Sequence, residues 1–261
     1  MLLKPKKSLG QNFLHDKNII NKIIIASKIG SNDEVLEIGP GTGNLTKFII
    51  SQKPKKIYVI EKDENLVRDL EKQYSKKINI IKKDILKISY EFYSGKKFLI
   101  LGNLPYNIST KILSNFCINN KLNISRMILM FQKEVAERIL ANVNSKDYSR
   151  ITILSQWKFD IKKITDVKPN SFFPKPKVNS SVLEFIPKKK IHQIKDPKNL
   201  EKITGIFFNQ RRKMIKKPIS LLFKKSKFDY KKLNINPSDR PQNINIDKYL
   251  EIVNEFEALG G

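Results

Sequence analysis

Val35-Leu-Glu-Ile38 is a short apolar run that ends directly on Gly39-Pro-Gly-Thr-Gly43, and a helical pattern carrying Leu45, Phe48 and Ile49 follows at once. A strand that turns through glycines straight into a helix is the opening of an α/β unit. Gly39, Gly41 and Gly43 allow a tight turn and a close approach to a ligand, because no Cβ intervenes.

The same alternation runs from about residue 16 to residue 186. Asp16 is placed to cap a helix with Ile19, Ile20, Ile23 and Ile24 on one side, and Asp63 to cap another with Leu66, Val67 and Leu70. Ile57–Ile60, Ile78–Ile81, Phe98–Leu101 and Met127–Phe131 read as further strands, with a helix from about Ser109 to Cys117. The pattern predicts a mostly parallel, Rossmann-like α/β sheet covered on both faces. Two later β-like segments, around Phe159–Val167 and Val178–Ile186, are placed to extend it with an antiparallel edge. At Pro187-Lys-Lys-Lys190 the texture changes, and beyond it only helical patterns remain, at Leu200–Met214 and Asp247–Phe256. Residues 1–187 are therefore expected to form the α/β domain and residues 188–261 a small helical one.

Charge gives the first indication of a partner. The 261 residues hold 51 Lys+Arg against 25 Asp+Glu, a formal net charge of +26. An AT-rich genome enriches Lys, Ile and Asn together but does not explain the shortage of acids. The tail from residue 188 onward carries 18 Lys+Arg and 8 Asp+Glu, which suits contact with a polyanion through phosphates. Cys117 is the single cysteine and His15 and His192 the only histidines, so no cluster has metal-ligand spacing. Met1-Leu-Leu-Lys-Pro-Lys-Lys7 has no apolar signal region and no run approaches a membrane span. The expectation is a cytoplasmic protein without metal or membrane.

The glycine loop lacks the last glycine of a dinucleotide fingerprint, whose place is taken by Asn44. With Glu37 two residues upstream, it looks instead like the nucleoside loop of S-adenosylmethionine methyltransferases; an ordinary strand-to-helix turn is the alternative for the loop alone. Glu61 ends the second strand, where a carboxylate accepts both hydroxyls of a ribose, or is simply a solvated strand end. Asp84 follows the third strand and either accepts from an adenine amine or caps the next turn. The three occur in the order that one nucleoside lying across adjacent strand ends requires.

Asn103-Leu-Pro-Tyr106 follows the fourth strand. An exocyclic adenine amine is a poor nucleophile because its lone pair is delocalised into the ring. Acceptors offered to its two hydrogens favour a tetrahedral nitrogen, and the Asn103 side-chain oxygen and the Leu104 carbonyl suit that task. Pro105 fixes φ and stiffens the loop, and the ring of Tyr106, rather than its hydroxyl, offers a stacking face for a base taken out of its helix.

Together with Leu9-Gly-Gln-Asn-Phe-Leu14 and Phe172-Phe-Pro-Lys-Pro-Lys-Val-Asn-Ser180, the segment Asn103-Leu-Pro-Tyr-Asn-Ile-Ser-Thr110 resembles the ribosomal RNA adenine dimethyltransferases. Phe207-Phe-Asn-Gln-Arg-Arg-Lys213 and Arg240-Pro-Gln-Asn243 look like the bacterial small-subunit branch of that family. The resemblance covers the whole chain. It implies dimethylation of the N6 amines of two adjacent adenosines near the 3′ end of 16S rRNA in the immature small ribosomal subunit, using S-adenosylmethionine; a monomer is the separate expectation for the chain. It further implies that Asn12, Leu14, Gly39, Glu61, Asp84 and Asn103 contact the cofactor, that Asn103 to Tyr106 hold the target amine, and that Phe173 is a second stacking face. Arg211, Arg212 and Lys213, read as lying on a helix, are the expected RNA contacts, with a basic arm at Lys4, Lys6 and Lys7 as the alternative docking face. Gln242 departs from the family, which more often has an acid there.

Three other readings remain at this point. A large-subunit rRNA adenine methyltransferase of the antibiotic-resistance type would share every catalytic motif, and only the tail motifs speak against it. A non-catalytic assembly factor would tolerate an altered Glu61 or Asn103, and both are intact. A DNA adenine methyltransferase would normally carry an acid in place of Asn103 and a target-recognition region.

Overall fold

In the computed structural model, which describes residues 5–6, 9–223 and 228–260, the apolar runs become β2 (Glu34–Ile38), β3 (Lys56–Glu61), β4 (Asn79–Lys82), β5 (Lys97–Asn103) and β6 (Asn123–Gln132). These pair in parallel, in the spatial order β4-β3-β2-β5-β6. β9 (Ser180–Pro187) then runs antiparallel to β6, and β7 (Phe159–Val167) lies beyond it at the edge. Val35, Leu36, Phe98, Ile100 and Leu101 are all buried, as strands covered on both faces require. A separate two-stranded piece joins β1 (Phe13–Leu14) to β8 (Phe172–Phe173).

Local chemistry explains the helix starts. The Asp16 carboxylate accepts the N–H groups of Asn18 and Ile19 at the head of α1 (Lys17–Ser27), and Asp63 accepts that of Asn65 at the head of α3 (Glu64–Tyr74). Between them α2 (Asn44–Ser51) starts directly on Gly43. α4 (Ser109–Ile118) follows β5. The chain thus winds outward through β2, β3 and β4 and returns to β5 beside β2. That reversal opens a crevice at the carboxyl ends of the strands.

Two compact units emerge, and they do not divide at one point of the chain. The first comprises Met1–Asn115, Asn120–Ala136 and Asp160–Pro187; the second comprises Phe116–Asn119, Glu137–Phe159 and Lys188–Gly261. The tail thus packs with residues 137–159, which a cut at residue 187 would give to the sheet. α6 (Arg150–Lys158) and the last three residues of α5 (Lys133–Ile139) lie in that region. α6 buries Ile151, Thr152, Ile153, Leu154, Ser155 and Trp157, so it has no polar face and no amphipathic stripe to read. The second unit also holds α7 (Pro197–Asn209), α8 (Lys216–Leu222) and α9 (Ile246–Ala258). α7 stops five residues short of the expected Met214, because Gln210 leaves helical geometry (φ −119°, ψ 35°) and residues 210–212 form a turn.

Candidate active site

A pocket opens at the crevice and is lined by the ends of four parallel strands: Ile38 and Gly39 at the end of β2, Ile60 and Glu61 from β3, Lys83 and Asp84 after β4, and Asn103 to Tyr106 from β5 onward. The three glycines divide the work. All have positive φ, 65°, 58° and 80° for Gly39, Gly41 and Gly43. A Cβ on Gly41 would lie 2.8 Å from the Phe13 ring, and one on Gly43 2.8 Å from the Tyr74 ring. At Gly39 the nearest atom would be the Asn103 carbonyl oxygen, 3.9 Å away. Of the three, only Gly39 has open space where a side chain would stand, while the other two make room for aromatic side chains.

Glu61 is 8% exposed; its Oε1 accepts the N–H groups of Lys62 at 2.8 Å and Asp63 at 2.9 Å. Burial raises its pKa despite those bonds. Glu37 is 1% exposed and accepts the Thr46 hydroxyl at 2.6 Å. Burial pushes its carboxyl up to about 8, opposed by Thr46 and reinforced by the neighbouring Glu61. Asp84 caps the short turn after β4, accepting the Leu86 N–H at 3.0 Å through Oδ1, and pairs with Lys62 at 3.1 Å through Oδ2. Burial would raise its pKa, but the Leu86 N–H and the Lys62 and Lys87 ammoniums outweigh it. The capping alternative is therefore real, and a carboxylate with about four acceptor positions retains capacity for a ligand amine.

Asn103 closes β5 with its two amide ends in different employment. Nδ2 donates to the Asn12 carbonyl at 2.7 Å, which leaves Oδ1 as the acceptor end. Asn44, the residue that breaks the dinucleotide fingerprint, donates through Nδ2 to the Leu14 carbonyl at 2.8 Å. The segment Leu9–Leu14 is thus tied along the pocket by its own carbonyls. In the next turn the Ile108 N–H donates to the Pro105 carbonyl at 3.1 Å. The Tyr106 hydroxyl lies 2.6 Å from Ser180 Oγ, and burial raises its pKa.

These acceptors fit a nucleoside sulfonium: carboxylates at two strand ends, a backbone position without Cβ, an amide oxygen at a third strand end, and apolar walls from Ile38, Ile60, Leu66 and Ile85. A family model described as Ribosomal RNA adenine dimethylase matches residues 2–258. The chain belongs to that family. The Ribosomal RNA small subunit methyltransferase A of Pelagibacter ubique (strain HTCC1062) is 51% identical, covering 100% of both chains. Its counterpart in Malacoplasma penetrans (strain HF-2) is 41% identical over 97% of this chain and 92% of its own. Among solved structures, a dimethyladenosine transferase from Plasmodium falciparum superposes with a TM-score of 0.75 at 27% identity, covering 95% of this chain and 98% of that one. The 23S rRNA methyltransferase ErmE shares the fold, with a TM-score of 0.67 at 21% identity, covering 96% of this chain and 100% of its own.

Within this adenine dimethylase, the remaining expected positions fall in different places. Phe173 does not line the pocket. It is 61% exposed on β8, opposite Phe13 of β1. Arg211, Arg212 and Lys213 lie in the second unit, in and just after the turn that ends α7 rather than on a helix. Arg211 donates through Nη2 to the carbonyls of Ser145 and Lys146, whereas Arg212 and Lys213 are exposed. Lys6 pairs with Asp63; Lys4 and Lys7 lie outside the described residues. Sequence reasoning gives no role to Thr46 or Ser180 and reads Asp63 only as a cap. A hydroxyl on the first turn of the helix after a glycine loop is the available signal for Thr46; nothing in the sequence pairs Ser180 with Tyr106.

Proposed function

We propose that this chain dimethylates the N6 amines of two adjacent adenosines near the 3′ end of 16S rRNA, acting as a monomer on the immature small subunit in the cytoplasm. The observation that carries the reading is the divided amide of Asn103, fixed to Asn12 through Nδ2 and left with Oδ1 as an acceptor at the strand end beside Gly39. S-adenosylmethionine supplies an electrophilic methyl group on its sulfonium, so the protein needs no strong base.

The chain's residues then have separate tasks. Glu61 holds the ribose hydroxyls and Asp84 the adenine amine, while Gly39 admits the donor close to the backbone and Asn12 and Leu14 hold the arm beside it. Asn103 Oδ1 and the Leu104 carbonyl accept the two hydrogens of the target amine and turn its lone pair toward the methyl group. Pro105 keeps that carbonyl in place, and Tyr106 with Phe173 stacks the extruded base. Catalysis is alignment and electrostatic stabilisation. Arg212 and Lys213, with the basic second unit, hold rRNA phosphates.

Mass spectrometry of 16S rRNA from a strain lacking the gene tests the reading. Two unmethylated adenosines that the wild-type gene restores and an Asn103→Ala gene does not are expected. Full dimethylation in the deletion strain would end the proposal. In vitro, Glu61→Ala is expected to weaken S-adenosylmethionine binding by about 1–3 kcal/mol, the cost of losing charge-assisted hydrogen bonds.

A further inference from the structure

Asp63 stands two residues after Glu61 and does not line the pocket, yet it makes more bonds than the cap of α3 requires. Its backbone N–H donates to Glu61 Oε1 at 2.9 Å, and its Oδ1 accepts the Asn65 N–H at 3.0 Å. Those bonds are local. Two others cross more than fifty residues: Lys6 Nζ donates to Oδ1 at 2.9 Å and Gln11 Nε2 to Oδ2 at 3.0 Å. Gln11 Oε1 in turn accepts the Lys6 backbone N–H at 2.7 Å. The Asp63 side chain is 3% exposed and that of Lys6 45%. Burial alone would raise the Asp63 carboxyl, but the bonds from Lys6, Gln11 and Asn65 outweigh it and hold it below the usual range. It is charged throughout the neutral range.

The segment Leu9–Leu14 lines the pocket and is held at its far end by Asn103 on the Asn12 carbonyl, Asn44 on the Leu14 carbonyl and the β1–β8 pair. One wall of the pocket is therefore a strap fastened at both ends. The far fastening consists of part-buried neutral hydrogen bonds. The near one combines the part-buried Gln11 bond with an ammonium half in water, where salt screens the ion pair and its contribution is modest.

We infer that Asp63 is a positioning residue whose pairing with Lys6 and Gln11 latches residues 9–11 beside the cofactor pocket and sets how fast the cofactor leaves. This rests on the cofactor reading above and adds its release step. Each methyl transfer leaves S-adenosylhomocysteine behind, and a second methyl on the same amine requires that product to leave and a fresh donor to enter. A strap held at its near end by one half-exposed ion pair and the Gln11 bond permits that exchange by opening there while Asn44 and Asn103 keep their end in place.

The test is release of labelled S-adenosylhomocysteine into excess unlabelled ligand, at several salt concentrations and without RNA. Lys6→Met and Lys6→Glu alter a half-exposed residue outside the pocket lining and leave Asp63 itself intact. Release is expected to accelerate about fivefold for Lys6→Met and further for Lys6→Glu. The wild-type rate should rise with salt and the Lys6→Met rate should not. Amide exchange over Leu9–Leu14 in the ligand-free protein should also quicken in Lys6→Glu, a readout that needs no cofactor. In turnover, KM for S-adenosylmethionine should rise without a fall in kcat. Tight binding with equal release rates and equal salt dependence in all three proteins would overturn the latch alone. No binding by the wild type would overturn the cofactor reading as well.

Discussion

The hydroxyl of Tyr106 meets Ser180 Oγ at 2.6 Å, and Ser180 is completely buried at the start of β9. That bond joins the loop after β5 to the end of the Phe172–Ser180 segment, the two places expected to hold the target base.

The sequence alone suggests that only the ring of Tyr106 matters, and the bond changes that expectation. Tyr106→Phe should leave Ser180 Oγ without its partner and cost about 1 kcal/mol of stability, with a several-fold loss in methyl transfer as the ring loses its fixed plane. Ser180→Ala should have the same effect on transfer, and the double variant should be little worse than either single one. Tyr106→Ala should lose stacking worth roughly 1–3 kcal/mol in addition. Single-turnover rates for the four proteins decide the matter. Full additivity of the two single variants would mean that the bond does not orient the ring.

Glu37 makes stability depend on pH. Its carboxyl titrates near 8 in the folded chain against an ordinary value of 4.5, so between those values the folded state holds a proton that the unfolded state has released. Stability from this group is complete below about pH 4.5 and is lost as pH rises toward 8, by about 1.4 kcal/mol per unit across the window at most. Glu37→Gln keeps an acceptor for Thr46 and carries no titrating proton. Urea denaturation from pH 5 to 9 should show the wild type losing stability relative to the variant as pH rises. Parallel curves would place the Glu37 titration outside this window.

Asn103 offers a separation of its two ends. Asn103→Ala should slow methyl transfer by about 10²-fold or more, as when a transition-state acceptor is removed, with little change in rRNA affinity. Asn103→Asp retains an acceptor and loses the donor to the Asn12 carbonyl, so it should also loosen the arm and weaken S-adenosylmethionine binding. Calorimetry on both variants distinguishes them; identical cofactor affinities would show that the Asn12 bond does not support the pocket.

What the sequence reveals follows from the range of each interaction. The parallel sheet is legible because buried strands such as Val35–Ile38 are largely apolar, and the caps because Asp16 and Asp63 act on N–H groups two or three residues away. Residues at strand ends are legible for the same local reason, and Glu61, Asp84 and Asn103 all reach the pocket. The partners of those residues are another matter. Lys6 with Asp63, Asn44 with Leu14 and Tyr106 with Ser180 meet across 57, 30 and 74 positions, and nothing in a periodicity encodes such pairs. α6 is illegible for a different reason, since a helix buried on every side shows no stripe.

The basic residues at the end of α7 make the last prediction. As a helical run, Arg211, Arg212 and Lys213 would fan around the axis and share one role. In the turn they separate: Arg211 reaches back to the carbonyls of Ser145 and Lys146, while Arg212 and Lys213 face solvent. Arg211→Ala should therefore act on the second unit's stability, by about 1 kcal/mol for partly exposed charge-assisted bonds, and leave the salt dependence of RNA binding unchanged. Arg212→Ala with Lys213→Ala should do the reverse. Binding to immature small subunits should weaken, and the log–log salt slope should fall by roughly 0.7–0.9 for each phosphate that is no longer neutralised, with thermal stability and S-adenosylmethionine affinity intact. Subunit binding at several salt concentrations, beside a denaturation curve for each protein, separates the two roles. A reduced slope for Arg211→Ala with unchanged stability would mean that its guanidinium leaves the Ser145–Lys146 backbone when RNA is present. Unchanged slopes for the Arg212 and Lys213 pair would place the phosphate-binding groups elsewhere on the basic surface.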